Sequence, residues 1–171
     1  ERLVGSEMCI RDSRNSENGR IKDYELYFSK DGKNWDNKTK GHFENSSSAQ
    51  FVTLEKPIVA RYFKLIALSE IYGRDWASAA ELNVNAVRNL SGASEERQKV
   101  VYVDSDADGS MKLAADGDIN TFWHTVHNQF YLAPYPHEIQ IALAKETTVK
   151  GLKYTPRQDS SEGRICLLYT S

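Results

Sequence analysis

Several short segments carry residues able to hold a metal ion or assist a reaction. Asp116-Gly117-Asp118 with Thr121 offers carboxylates, carbonyls and a hydroxyl, hard oxygen donors of the kind Ca²⁺ takes. The same spacing equally describes an Asx turn, the commoner use of an Asp-Gly pair. Asp104, Asp106 and Asp108-Gly109 match the opening of an EF-hand loop, but the closing Glu would fall at Ala115, which has no ligating side chain. The flanks of that segment read as strand and loop, so it reads as a solvated acidic loop. His124 and His127 form an HxxH pair with no third ligand in a recognisable motif, and zinc is not expected. Acids are plentiful, yet none sits in a motif for the paired carboxylates of a glycosidase. No G-x-S-x-G, P-loop, dinucleotide fingerprint or H-E-x-x-H occurs. No catalytic residue is assigned.

The composition fits a globular chain. Of 171 residues, 40% are hydrophobic and 11% aromatic, above the range of disordered segments. The formal net charge is -2 with both signs interspersed, so no basic stripe points to nucleic acid. No apolar run approaches the roughly 20 residues of a membrane-spanning helix. The N-terminus shows no basic start followed by a long apolar stretch.

The two ends read differently from the rest. Arg2 to Ser13 (RLVGSEMCIRDS) and Cys166 to Ser171 (CLLYTS) look like translations of a transposase-end adapter used for sequencing libraries, in opposite orientation. Residues 1–13 and 166–171 are therefore expected to be non-native. Both cysteines, Cys9 and Cys166, lie in them, so no disulfide or cysteine-metal argument is made.

The elements that would position any site are strands. Ile21 to Ser29 places apolar and aromatic residues at near strand spacing, and Asp31-Gly32 marks a turn. Gly41–Glu44 and Gln50–Leu54 read as short strands, and Pro57 as a chain break. Arg61–Ser69 reads as a strong strand, Tyr72–Trp76 as a loop, and Ala80–Val87 as another strand. Residues 88–98 read as a polar linker. Lys99–Val103, Glu138–Leu143 and Thr148–Thr155 read as strands, with a loop over Ala114–Thr121 leading into Phe122-Trp123. Trp35, the strand tyrosines and Trp123 are assigned to packing. Short strands with regular turn signals predict an all-β sandwich or barrel. Asn18-Gly19-Arg20-Ile21 also recurs as Glu162-Gly163-Arg164-Ile165, the mark of a tandem unit.

NGRIKDYELYFSKDGKNW and ARYFKLIALSEIYGRDWASAAELNV resemble the C-terminal half of a discoidin domain, also called the coagulation factor V/VIII type C domain. AADGDINTFWHT, PHEIQIAL and GLKYTPRQD resemble its N-terminal half. The subgroup it looks most like is the bacterial galactose-binding-like carbohydrate-binding module. The resemblance implies an antiparallel jelly-roll β-sandwich, here in circularly permuted order. Residues 14–87 would be the C-terminal half of one copy and 99–165 the N-terminal half of the next. Burying both inner faces favours pairing of the two halves into one sandwich.

The resemblance also implies sites. The family's structural Ca²⁺ would be held by Asp116, Asp118, Thr121 and Glu81, with a carbonyl of Ala115 or Ala80. Its sugar site maps onto His124, Arg157 and an Asn before the GRI motif, which is Asn18 in the first half and Glu162 in the second. Ionised Glu only accepts hydrogen bonds, whereas Asn also donates, so this departure bears on sugar preference. Trp76 is the expected stacking aromatic, with capping of the sandwich edge as its competing role. The implied function is a non-catalytic glycan-binding module attached to a secreted glycoside hydrolase or sulfatase, at a secreted, periplasmic or cell-surface location. Two other readings stand beside it: a protein- or phospholipid-binding adhesion module, and a fragment of a catalytic glycosidase domain. Polar loops lean toward sugar.

Overall fold

A computed structural model describes residues 19–86, 98–128, 131–132 and 134–158. The proposed adapter segments, nearly all of the linker, Asn18 and the second GRI motif lie outside these residues. The elements in chain order are β1 (Asp23–Ser29), β2 (Asp36–His42), β3 (Gln50–Ala67), β4 (Ser78–Ala79), β5 (Glu81–Ala86), β6 (Lys99–Val103), a 3₁₀ turn (Met111–Ala115), β7 (Trp123–His124), β8 (His127–Asn128), β9 (Tyr131–Leu132) and β10 (His137–Thr155). All named pairings are antiparallel. The fold is the expected all-β sandwich.

Two long strands organise it. β3 and β10 pair along most of their length, and both shift register twice. Residues 143–146 of β10 are inserted between the Ala142–Tyr62 and Thr147–Ala60 pairs, and residues 54–57 of β3 between Val149–Ile58 and Gly151–Thr53. Such insertions bend a strand and reset which side chains face inward. On one side of the bends, β3 and β10 are flanked by β1, β2 and β6; on the other, β10 is flanked by β5. The two parts face each other across one core. Leu26, Phe28, Phe63, Leu65, Ile139 and Ile141 come from the first part, and Val52, Leu82, Leu152 and Tyr154 from the second. Phe43 bridges them, stacked on Tyr24 at 4.2 Å and tilted against Tyr154 at 4.5 Å between ring centroids. Strands from both halves of the chain thus share one sheet and one core.

Several local expectations change. Pro57 does not end a strand: it sits exposed in the 54–57 insertion, which has no partner residues in β10. Glu138–Leu143 and Thr148–Thr155 are likewise one bent strand. The second strand begins at Asp36 rather than Gly41, because Lys38 and Lys40 both reach Glu25 on β1, at 2.7 and 3.2 Å. Trp35 is not in the core; its ring lies 4.8 Å from Lys64 Nζ. Trp123 and Tyr154 are core residues.

Candidate functional site

β7 carries the centre of the site. Trp123 is 1% exposed, and its Nε1 donates to the Ser105 carbonyl at 3.0 Å. Side chains alternate along a strand, so burying Trp123 turns Phe122 and His124 to the other side. Their rings approach to 5.6 Å between centroids. Arg157 follows the end of β10 and lays its guanidinium 3.8 Å from the centre of the Phe122 ring. Phe122 therefore links His124 and Arg157, the latter by a close cation–π contact.

Trp76 reaches the same end through β4. β4 pairs with β7, Ser78 opposite His124, and Ala77 and Thr125 exchange 3.0 Å bonds through Ala77 N–H to Thr125 Oγ1 and Thr125 N–H to the Ala77 carbonyl. The backbone just before Ala77 is also pinned. Tyr135 Oη donates to the Trp76 carbonyl at 2.7 Å. His137, 1% exposed, sets Nδ1 2.9 Å from Asp104 Oδ2 and Nε2 2.9 Å from the Asp75 carbonyl. Burial opposes protonation of His137, but the Asp104 carboxylate and Asp75 carbonyl outweigh it and raise its pKa. The imidazolium satisfies both acceptors at once.

His124, Arg157 and Trp76 thus come from three separate segments to one end of the sandwich. Asn18 and Glu162 lie outside the described residues. Phe122 and His137 were not singled out from the sequence. Phe122 was legible in principle, because a core Trp123 forces its neighbours outward together. Nothing in the local sequence marks His137, whose partners lie 33 and 62 residues away.

The acidic loop sits beside this site. Glu81, 3% exposed, accepts from the Gly117 N–H at 2.6 Å through Oε1 and from Asn83 Nδ2 at 2.9 Å through Oε2. Thr121 Oγ1 donates to Asp116 Oδ2 at 2.8 Å. Burial raises the Glu81 pKa, and the adjacent Asp116 carboxylate adds to this, partly offset by the Gly117 and Asn83 bonds. Asp118 presents its side-chain and main-chain oxygens to different partners. Its carboxylate accepts from Asn120 N–H and Nδ2 at 2.9 and 2.8 Å, while its carbonyl faces Thr121 Oγ1 at 3.0 Å. The donors brought together are two carboxylates, a hydroxyl and the Asp118 carbonyl, which suit a hard cation. Among the described residues, no three His, Cys, Asp or Glu side chains form a group that could hold a metal. Asp104 is bound to His137, and Asp106 accepts from Ser110 Oγ at 3.0 Å, so neither builds an EF-hand loop.

The profile of the F5/8 type C domain matches residues 6–82 and 93–166. The chain belongs to the F5/8 type C domain family. Relatives of this discoidin-type domain include a sialidase of Micromonospora viridifaciens, 35% identical over 83 residues, 45% of this chain and 13% of that protein. A galactose oxidase of Gibberella zeae is 38% identical over 86 residues, 49% of this chain and 12% of that protein. The chain matches only a small part of either relative. No helix among the described residues is long and apolar enough to cross a membrane.

Proposed function

We propose that this discoidin-type domain is a non-catalytic carbohydrate-binding module for galactose-type or related glycans, targeting an attached secreted glycoside hydrolase or sulfatase. The observation that carries the reading is the Arg157–Phe122–His124 cluster, set beside the pinned Trp76 segment at one end of the sandwich. Arginine and imidazole can fix vicinal hydroxyls, and aromatic rings can cover the C–H face of a sugar and exclude water. The relatives, a sialidase and a galactose oxidase, are both named for sugars, and this chain resembles a small part of each. Titration calorimetry with galactose and lactose tests the reading. Saturable binding without turnover is expected, with affinity lowered about tenfold or more, ~1.4 kcal/mol, in Arg157→Ala and in Trp76→Ala and melting temperatures retained. Hydrolysis that disappears on a single carboxylate substitution defeats it.

The acidic loop supports a structural Ca²⁺ held by Glu81, Asp116 and Thr121, the Asp118 carbonyl or carboxylate, and a carbonyl of Ala115 or Ala80. When bound, the ion supplies charge compensation for two adjacent carboxylates, one of them buried. Calcium at about a hundred times its Kd stabilises a fold by ~2.7 kcal/mol. Thermal melts with calcium and with EGTA should show that rise in the native chain and its loss in Glu81→Gln. A melting temperature indifferent to both additions removes the ion from the account.

A further inference from the structure

We infer that Arg74 forms an anion-recognising edge beside the sugar site, selecting glycans that carry a carboxylate or sulfate ester; this rests on the sugar-binding reading above. The Arg74 guanidinium lies over two rings of its own loop, 5.4 Å from the centre of Tyr72 and 5.6 Å from that of Trp76. Among the described residues its side chain makes no hydrogen bond or ion pair, so its N–H groups are available to a ligand. Those groups form a planar fork that matches carboxylate and sulfate oxygens. The neighbouring Asp75 is exposed and forms no salt bridge with it.

The loop is built to hold this arrangement. It wraps around the buried Glu70 carboxylate, whose Oε2 accepts from the Tyr72 N–H at 2.7 Å and the Arg74 N–H at 3.2 Å. Gly73 turns between them at φ 71° and donates to the Glu70 carbonyl at 3.1 Å. The Tyr72 hydroxyl accepts from Asn45 Nδ2 at 2.9 Å, and Asn45 Oδ1 accepts from Arg20 at 2.8 Å. A charge held in place before binding loses little freedom on meeting its partner. Trp76 belongs to both features: it carries Arg74 and stands at the sugar end, so an acidic group on the bound sugar or its neighbour falls within reach of Arg74.

The test compares galactose, galacturonic acid and galactose 6-sulfate on the full chain and on Arg74→Gln, with thermal melts to confirm folding. The native chain should bind at least one of the acidic sugars about tenfold more tightly than galactose, and the stronger acid identifies the group. That preference should shrink as salt is raised and vanish in Arg74→Gln, with galactose affinity unchanged within about twofold. Galactose binding with no acid preference, or a preference that survives Arg74→Gln, overturns the inference and leaves the sugar reading intact. Failure to bind any of the three sugars overturns both.

Discussion

His137 shows how much one buried side chain can organise. It ties β10 to Asp104 and to the carbonyl of Asp75, one residue before Trp76. Its pKa is raised from the ordinary 6.5, so the folded state binds the proton more tightly than the unfolded chain. The stabilisation is therefore complete below about pH 6.5 and is lost as pH rises through the folded-state value. Each unit of elevation is worth about 1.4 kcal/mol. Melting temperatures between pH 6 and 9 should fall with rising pH in the native chain and fall less in Asp104→Asn. A native profile that is flat or rises across that window contradicts the charged-imidazole description. Phe122 makes a related point. Its neighbours Trp123 and His124 draw the eye in the sequence, yet Phe122 supplies the ring on which Arg157 rests.

At the scale of elements, the bends in β3 and β10 govern both shape and side-chain phase. Buried positions fall at Val52, Leu54 and Ala60 before the switch in β3, then at Phe63, Leu65 and Ala67 after it. Gly151 lies at one of these shifts, where an added Cβ would meet the Val52 carbonyl oxygen of β3. Gly151→Ala should cost about 1–3 kcal/mol in urea unfolding, the usual penalty of overpacking. An unchanged midpoint would show that the strands separate there easily. These bends explain what the sequence could and could not reveal. The alternation of Tyr24, Leu26 and Phe28, and the run Lys99–Val103, mark strands from local pattern alone. The continuity of β3 through Pro57 does not, because only pairing with β10 shows that an unpaired insertion can hold a proline without ending the strand. The start of β2 at Asp36 is hidden for the same reason, since its lysines are ordered by Glu25 on another strand. In the acidic loop, the closeness of Glu81 to Gly117 and of Thr121 to Asp116 follows the resemblance, whereas the turning of the Asp118 carboxylate toward Asn120 is set by local hydrogen bonds.

For the whole molecule, the decisive contacts join residues before position 87 to residues after position 98. β10 runs beside both β3 and β5, and Tyr154 Oη accepts from the Ile21 N–H at 3.2 Å. Neither part alone can cover its apolar face. Residues 14–87 and 99–165 expressed separately should lack a cooperative melt, and mixing them should restore one together with native circular dichroism. Independent melting of either piece would show that the shared sheet is dispensable. The β4–β7 ribbon joins Ser78 to His124, and the Glu81–Gly117 bond joins the same two parts. Both candidate sites therefore exist only in a closed molecule. On the proposed sugar-binding function, passage over immobilised galactose would act as an inspection step: correctly closed chains are retained, and chains left open or paired wrongly flow through, so the retained fraction counts successful closure without any label.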